Sequence, residues 1–314
     1  MLPSKINRLF VAPLLGTQAA RKMHEVERLS ASNVKDVAAT ISHLIKTTAP
    51  FKQESVEPIF ILSAGWRSGS TLVQRMLSSG TDVLMWGEPF DRSCIIQNIT
   101  KMFLPLSNNW PPSEYFFDTA KQSDLGKLWI ANLYPNLESL VKSARLFSDE
   151  LFEPPSSQKF KRWGVKEVRW GYEEAMILSA LYPTAKFILL SRDLFDCYSS
   201  YKNMSKFKNW YFNWPKQKAF TPFQFAFHHT RLVTDFKELS NYDRFISVDY
   251  DSLKSQSTQK LLATHCGVEI DPSVVQHKVS GAVNSNNMKL SQSEKLLLLT
   301  GKKLSIMQRA KFYD

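Results

Sequence analysis

The stretch FILSAGWRSGSTLVQRML, residues 60–77, decides the fold of this chain. It begins as a short apolar run typical of a buried strand, turns through small residues, and continues with apolar residues at helical spacing. A strand, a glycine-containing turn and a helix in this order are typical of a phosphate-binding loop. This loop lacks the lysine that normally contacts terminal phosphates, and Arg67 lies earlier in the turn. Arginine offers an oxyanion a planar fork of donors and needs no metal ion beside it.

Glycine and hydroxyl residues give the loop its anion-binding character. Gly65 and Gly69 permit the tight turn, and the backbone N–H groups of about residues 68–72 would point at an anion with the helix dipole behind them. Hydroxyl donors are added by Ser68, Ser70 and Thr71. The alternative is a strand, turn and helix in which the serines only cap the helix.

The charged residues and the cysteines indicate what kind of partner and what cellular location to expect. The 314 residues include 40 Lys and Arg against 29 Asp and Glu, a net charge of +11. This surplus predicts an anionic partner, which nucleic acid, an acidic membrane surface or a small charged ligand would satisfy. Cys94, Cys197 and Cys266 are too far apart for a zinc motif or a disulfide framework, so a reducing cytoplasmic location is expected. No segment approaches the roughly 20 continuous apolar residues of a membrane span.

Strand and helix patterns alternate along the rest of the chain. Besides the opening strand, strand patterns are TDVLMWGE (81–88), RWGVKEV (162–168), AKFILLSR (185–192) and RFISVDYDSL (244–253). Helix patterns such as EEAMILSALYP and STQKLLATHCG lie between or after them. The alternation predicts an α/β fold: a P-loop-type three-layer sandwich with a central parallel sheet flanked by helices. We divide the chain into an N-terminal arm with helices, residues 1–57, and an α/β domain with inserted segments, residues 58–314.

A second anion site is predicted where SRDLFDCYSS repeats the strand-to-helix plan. Arg192 lies at the strand end, and Ser199 and Ser200 follow two helical turns later, so both ends of this segment could reach one anion. Ligands of open α/β sheets bind at the carboxyl ends of the strands, where both predicted anion sites lie. A nucleotide with phosphates at its 5′ and 3′ positions would need such a pair.

At this point the motifs resemble those of a known family. RSGSTL (67–72) resembles the 5′-phosphosulfate loop of sulfotransferases, and SRDLFDCYSS (191–200) resembles their 3′-phosphate motif. The pattern is most similar to the branch of tyrosylprotein and bacterial sulfotransferases, over residues 58–200 and again at VDYDSL (248–253). The resemblance implies the donor 3′-phosphoadenosine 5′-phosphosulfate (PAPS, with product PAP) and no metal. The donor-binding residues implied are Arg67, Ser68, Gly69, Ser70, Thr71, Leu72, Arg192, Ser200 and Tyr250.

The resemblance also implies the catalytic residues. Sulfuryl transfer needs a base for the acceptor proton and cations for the leaving phosphate oxygen. Glu88, at the end of the second strand, matches the glutamate base of the tyrosylprotein branch. Lys166 matches the lysine that stabilises the bridging oxygen, and Arg67 would share this role. The alternatives are a surface carboxylate at Glu88, a solvated lysine at Lys166 and a structural tyrosine at Tyr250.

Other candidate residues are less well defined. His228 and His229 are a counter-hypothesis, because another branch uses a histidine base, but they lie far along the chain from the loop and we expect a packing or surface role. Residues 277–290 form a polar segment, HKVSGAVNSNNMKL. Lys278, Ser285 or Lys289 of this segment could complete the donor site.

The function expected is therefore sulfuryl transfer from PAPS to an acceptor hydroxyl or amine. A small-molecule acceptor is expected at least as much as a peptide or a saccharide, in a pocket walled by parts of residues 91–157 and 203–228. A P-loop kinase would need the missing lysine. A nucleic-acid-binding protein would explain the charge, but the basic residues are spread along the chain, and we expect no nucleic-acid partner.

Overall fold

The computed structural model describes residues 30–47, 58–80, 82–88, 93–106, 111, 115–116, 125–127, 133–155, 160–204, 221–276 and 289–313. In chain order the elements are α1 (Ala31–Thr47), β1 (Ile59–Ser63), α2 (Ser70–Ser78), β2 (Val83–Trp86), α3 (Ile95–Phe103), α4 (Leu137–Phe152), β3 (Arg162–Glu167), α5 (Tyr172–Leu181), β4 (Lys186–Ser191), α6 (Leu194–Met204), α7 (Pro222–Leu239), β5 (Phe245–Asp249), α8 (Gln256–Cys266) and α9 (Gln292–Tyr313). Short 3₁₀ helices cover Tyr250–Lys254 and Pro272–Val275.

The five predicted strands form one parallel sheet in the order β2-β3-β1-β4-β5. The central strand β1 is buried along its whole length, which explains its continuous apolar run. Because all pairs are parallel, the carboxyl ends of β1, β3 and β4 lie side by side. The residues that follow these strands therefore meet at one edge of the sheet.

Side chains alternate between the two faces of the sheet and build two apolar layers. Phe60 and Leu62 of β1 point into one layer, which α1, α3, α4, α5 and α7 cover. Ile59 and Ile61 point into the opposite layer, which α2 and α8 cover. The predicted three-layer α/β sandwich is confirmed by this arrangement.

Helix α1 packs against α5 and buries Val34, Val37 and Ile41 in the same core cluster as the sheet. The part of the predicted N-terminal segment that the structure describes is thus integrated with the main domain. Residues 1–29 and 48–57 lie outside the described residues, and the boundary at residue 57 stays a prediction. In the described part of the chain, no helix combines the length and the apolar character that crossing a bilayer requires.

The C-terminal helix α9, which the sequence did not predict, is held by buried charges. The Arg309 guanidinium donates to Asp235 on α7 and, at 2.9 Å, to Glu173 on α5. The Tyr313 hydroxyl donates to the same aspartate at 2.9 Å, and the other Asp235 oxygen accepts from the Tyr172 N–H at 3.1 Å. This network joins three helices at their buried faces.

Removing Arg309 tests this network. In Arg309→Met, the carboxylates of Asp235 and Glu173 stay buried without their cation, so we expect the free energy of unfolding to fall by about 3–5 kcal/mol. Urea unfolding monitored by circular dichroism measures it. The control is Lys302→Met, which removes an exposed cation from the same helix and should change stability by less than about 0.5 kcal/mol. An equal loss of unfolding free energy in both variants would contradict a stabilising role for the Arg309 network.

Candidate active site

The loop after β1 has a backbone that only a few residue types adopt easily. Gly65 and Gly69 have φ values of +79° and +97°, and Arg67 has φ +69°. The Ser68 hydroxyl donates to the Gly65 carbonyl at 2.7 Å and also bonds the Ser63 hydroxyl. The N-cap of α2 is Gly69, which has no side chain with which to cap it. No serine side chain therefore caps this helix, and the anion-binding role of the loop stays a prediction.

Tyr250 closes the loop from the side of β5. A Cβ atom on Gly69 would overlap the ring of Tyr250, so the ring lies directly on the loop backbone. The guanidinium carbon of Arg192 lies over the same ring, 4.2 Å from its centre, in a cation–π contact. Residues from three strand ends are thus packed together.

Two arginines, Arg67 and Arg192, lie next to each other beside this loop. Arg67 Nε donates to the Ser200 hydroxyl at 3.0 Å, and Arg192 Nη1 donates to the Arg67 carbonyl at 3.2 Å. Burial lowers the pKa of Arg67, and the charge of Arg192 lowers it further. Arg192 Nε is buried and has no hydrogen-bond partner among the described residues. Two cations that repel each other, one of them with a buried N–H that has no acceptor, would be stabilised by a bound anion.

Glu88 and Lys166 form an ion pair on the other side of the loop. Lys166 Nζ lies 2.5 Å from Glu88 Oε1, and the two side chains are only 8% and 14% exposed in that order. Burial raises the pKa of Glu88, whereas the charge of Lys166 opposes the rise. Glu88 Oε2 is buried and accepts no hydrogen bond within the described part of the chain. Neither side chain is the solvated surface group that the alternatives suggested.

A sequence profile described as the sulfotransferase family matches residues 58–272, more than half of the chain. This chain belongs to the sulfotransferase family. The match spans the loop, Glu88, Lys166, Arg192 and Tyr250. The resemblance inferred from the motifs is thereby confirmed at the level of the family.

Two of the solved structures that resemble this chain are bacterial sulfotransferases. One is the sulfotransferase domain of the olefin synthase of Synechococcus PCC 7002, at 17% identity and a TM-score of 0.43. Another is the sulfotransferase of Alicyclobacillus acidocaldarius, at 13% identity and a TM-score of 0.44. Both alignments cover 82% of this chain and 97% of the other chain. No curated protein sequence matches this chain at a significant level.

A second buried ion pair follows Lys166 along the chain, and the sequence analysis missed it. Arg169 donates twice to Glu167, with Nη2–Oε2 at 2.5 Å, and both side chains are at most 2% exposed. The charge of Glu167 raises the pKa of Glu88, and the charge of Arg169 lowers it. The signal was present in KEVR (166–169), where charges of opposite sign fall inside a strand end.

The two histidines of α7 lie beside the loop rather than far from it. His229 Nε2 is 3.1 Å from the Arg192 carbonyl oxygen, and the His228 ring centre is 5.2 Å from that of Trp66. Burial lowers the pKa of His229 to about 4 and that of His228 well below its usual value. Both rings are therefore neutral at neutral pH, a state that both a packed histidine and a base would have, so the packing or surface role stays a prediction.

The other residues predicted for the donor site differ in solvent exposure, and some of them lie outside the described residues. In the first turn of α2, Ser70 is buried, Leu72 is half-buried and Thr71 is exposed. Lys289 is exposed, whereas Lys278, Ser285 and residues 205–220 of the predicted acceptor wall lie outside the described residues. Within the described ranges, no group of three or more His, Cys, Asp or Glu is placed to hold a metal ion.

The loop backbone can be tested with one glycine. Gly69→Ala places a Cβ at φ +97° and against the Tyr250 ring, so we expect a loss of about 1–3 kcal/mol in the free energy of unfolding. Denaturant titration measures this loss. Gly126→Ala is the matched control, because nothing lies within 4 Å of a Cβ there and its φ is not in the positive range. A change at Gly69 no larger than in the control would contradict the described contact.

Proposed function

We propose that this sulfotransferase moves a sulfuryl group from PAPS to an acceptor hydroxyl or amine. The observation that carries the proposal is the juxtaposition of two features at one sheet edge. One is the pocket of Arg67 and Arg192, and the other is the buried pair of Lys166 and Glu88. The first binds an anionic donor, and the second combines a base with a cation.

The residues of the pocket fit a nucleotide with two phosphate groups. The uncapped start of α2 and the Ser68–Leu72 backbone suit the 5′-phosphosulfate. Arg192 and Ser200 suit the 3′-phosphate, since the buried Arg192 Nε is a donor that an anion would satisfy. Tyr250 holds the guanidinium of Arg192 in place by stacking. The absence of a loop lysine weighs against the kinase alternative.

The chemistry assigned to the chain follows from the Glu88–Lys166 geometry. When bound, PAPS supplies a sulfuryl group joined to a phosphate leaving group. Glu88 Oε2 is the oxygen that takes the acceptor proton, because Oε1 is occupied by Lys166. The Lys166 ammonium keeps this carboxylate ionised before the reaction, and together with Arg67 it offsets the negative charge that develops on the leaving oxygen.

We propose a small molecule as the acceptor. The low exposure of Glu88 and Lys166 supports this, since a slender hydroxyl compound reaches such a base more easily than a folded polypeptide. Transfer of radiolabelled sulfate from PAPS to panels of phenols, alcohols, amines, tyrosine peptides and saccharides tests the class directly. Labelling confined to peptides or saccharides would overturn the small-molecule part of the proposal.

The donor assignment is tested by calorimetric titration of the metal-free protein with PAP, with ATP and magnesium as the control ligand. We expect binding of PAP alone. Arg192→Ala should weaken PAP binding by about 1.5–3 kcal/mol, roughly 10- to 150-fold, because a charge-assisted hydrogen bond is lost. Lys260→Ala, which removes an exposed cation on α8, should leave the affinity unchanged. Binding of ATP instead of PAP would reopen the kinase reading.

Glu88→Gln separates binding from chemistry. The amide keeps the shape of the side chain but cannot take a proton, so we expect PAP affinity within about threefold of wild type and no measurable sulfate transfer. Single-turnover transfer of label measures the second quantity. Activity within tenfold of wild type would show that Glu88 is not the base.

The pH dependence of transfer tests the coupling of Glu88 and Lys166. Burial raises the pKa of Glu88, and a base works only when ionised, so activity should be lost on acidification at a higher pH than for a solvated glutamate. Lys166→Met removes the charge that opposes this rise, so the acid limb of kcat/KM should shift further upward. Lys166→Arg should move it back. An acid limb at the same pH in all three proteins would contradict the pairing.

A further inference from the structure

Helix α9 packs on the domain through a narrow and largely non-apolar stripe. Its buried residues are Leu298, Gly301, Ser305, Arg309 and Phe312. Only two of these five are large apolar residues. The other large apolar side chains of this helix must therefore lie elsewhere on its surface.

Those side chains lie on the outside of the helix. They are Leu296, Leu297, Leu299, Leu304, Ile306 and Met307, with exposed fractions of 42–66%. At 100° per residue they fall on the half of the helix that faces away from α7, where Thr300, Lys303 and Lys311 also lie, and we refer to the six apolar residues as the outer apolar face. Six large apolar side chains exposed on one helix are unusual on a monomeric protein and indicate an interaction surface.

The orientation of α9 is fixed, so the outer apolar face cannot turn inward. A Cβ atom on Gly301 would meet the Phe223 carbonyl, which shows that the backbones of α7 and α9 approach closely there. The Ser305 hydroxyl donates to the Phe227 carbonyl at 2.8 Å, and Arg309 is held by two carboxylates. Rotation would bury leucines at the cost of breaking this network.

The charges of α9 indicate what covers the outer apolar face. The helix carries four exposed lysines, Lys295, Lys302, Lys303 and Lys311. Its single acidic residue, Glu294, is paired with Lys202 at 2.7 Å. A second copy of the helix would bring two sets of lysines together, which disfavours self-association. An anionic surface would complement both the lysines and the net charge of +11.

We propose that the outer apolar face docks on a membrane surface that contains anionic phospholipids. The exposed half of this 22-residue helix mixes apolar side chains with lysines, and such a surface can lie in the plane of a bilayer at its headgroup boundary. Its leucines enter the acyl boundary, and its lysine stems extend along the apolar surface to bring their ammonium groups to lipid phosphates.

Vesicle co-sedimentation tests the docking surface. We expect the full chain to sediment with phosphatidylcholine vesicles that contain about 30% phosphatidylserine, and not with phosphatidylcholine alone. Raising the salt concentration to about 0.5 M should release it, because surface charges are then screened. The variant Leu296→Ser/Leu299→Ser/Met307→Ser should bind at least about tenfold more weakly, since three of the inserted side chains become polar.

The matched control is Leu146→Ser/Phe147→Ser, which replaces apolar side chains of similar exposure on α4 and should leave vesicle binding unchanged. Lys295→Glu/Lys303→Glu keeps the apolar residues and should also lose binding. Circular dichroism and PAP affinity show whether each variant is folded and keeps its site. Full vesicle binding by the triple variant, or no binding by the wild type, would overturn the proposal. So would a wild-type dimer that the triple variant dissociates in sedimentation equilibrium, because the partner would then be a second copy.

Discussion

The parallel pairing of β1 between β3 and β4 is the constraint on which the candidate site depends. Parallel register places all carboxyl ends at one edge, and the order β2-β3-β1-β4-β5 puts the loop after β1 in the middle. Glu88 and Lys166 then come from the β2–β3 side, and Arg192 and Tyr250 come from the β4–β5 side. The Glu88–Lys166 pair and the two arginines thus flank the same loop.

Opposite charges alternate at the β3 end, and this alternation makes the buried carboxylate of Glu88 tolerable. A single carboxylate in such a place would take up a proton, because desolvation disfavours its charged form. Lys166 holds Glu88, while Glu167 and Arg169 neutralise each other at the same strand end. Burial therefore leaves the pKa of Glu88 raised while the charge of Lys166 opposes the rise, which suits the general base that we propose.

The features that the sequence predicted are those with local signatures. The strand, turn and helix around Arg67, the five strands and the three-layer architecture follow from runs and periods within about ten residues. Glu88 and Lys166 were found by resemblance to a family, and their pairing across 78 residues needed the structure. Helix α9 was missed because its leucines lie outside and its buried stripe contains Gly301, Ser305 and Arg309, so its pattern does not mark a core-facing side. The contacts of Arg309 lie 74 and 136 residues away in sequence, beyond the reach of any local pattern.

The left-handed backbone at Arg67 has a consequence for how this loop can change. An arginine at φ +69° carries strain of about 1–3 kcal/mol that a glycine at the same position would relieve. Selection for stability alone would therefore favour glycine there, whereas the guanidinium that bonds Ser200 can be retained only by keeping the strain. Position 67 is thus a place where thermal robustness and the proposed anion recognition oppose each other, and stabilising substitutions in this protein should be sought far from the loop.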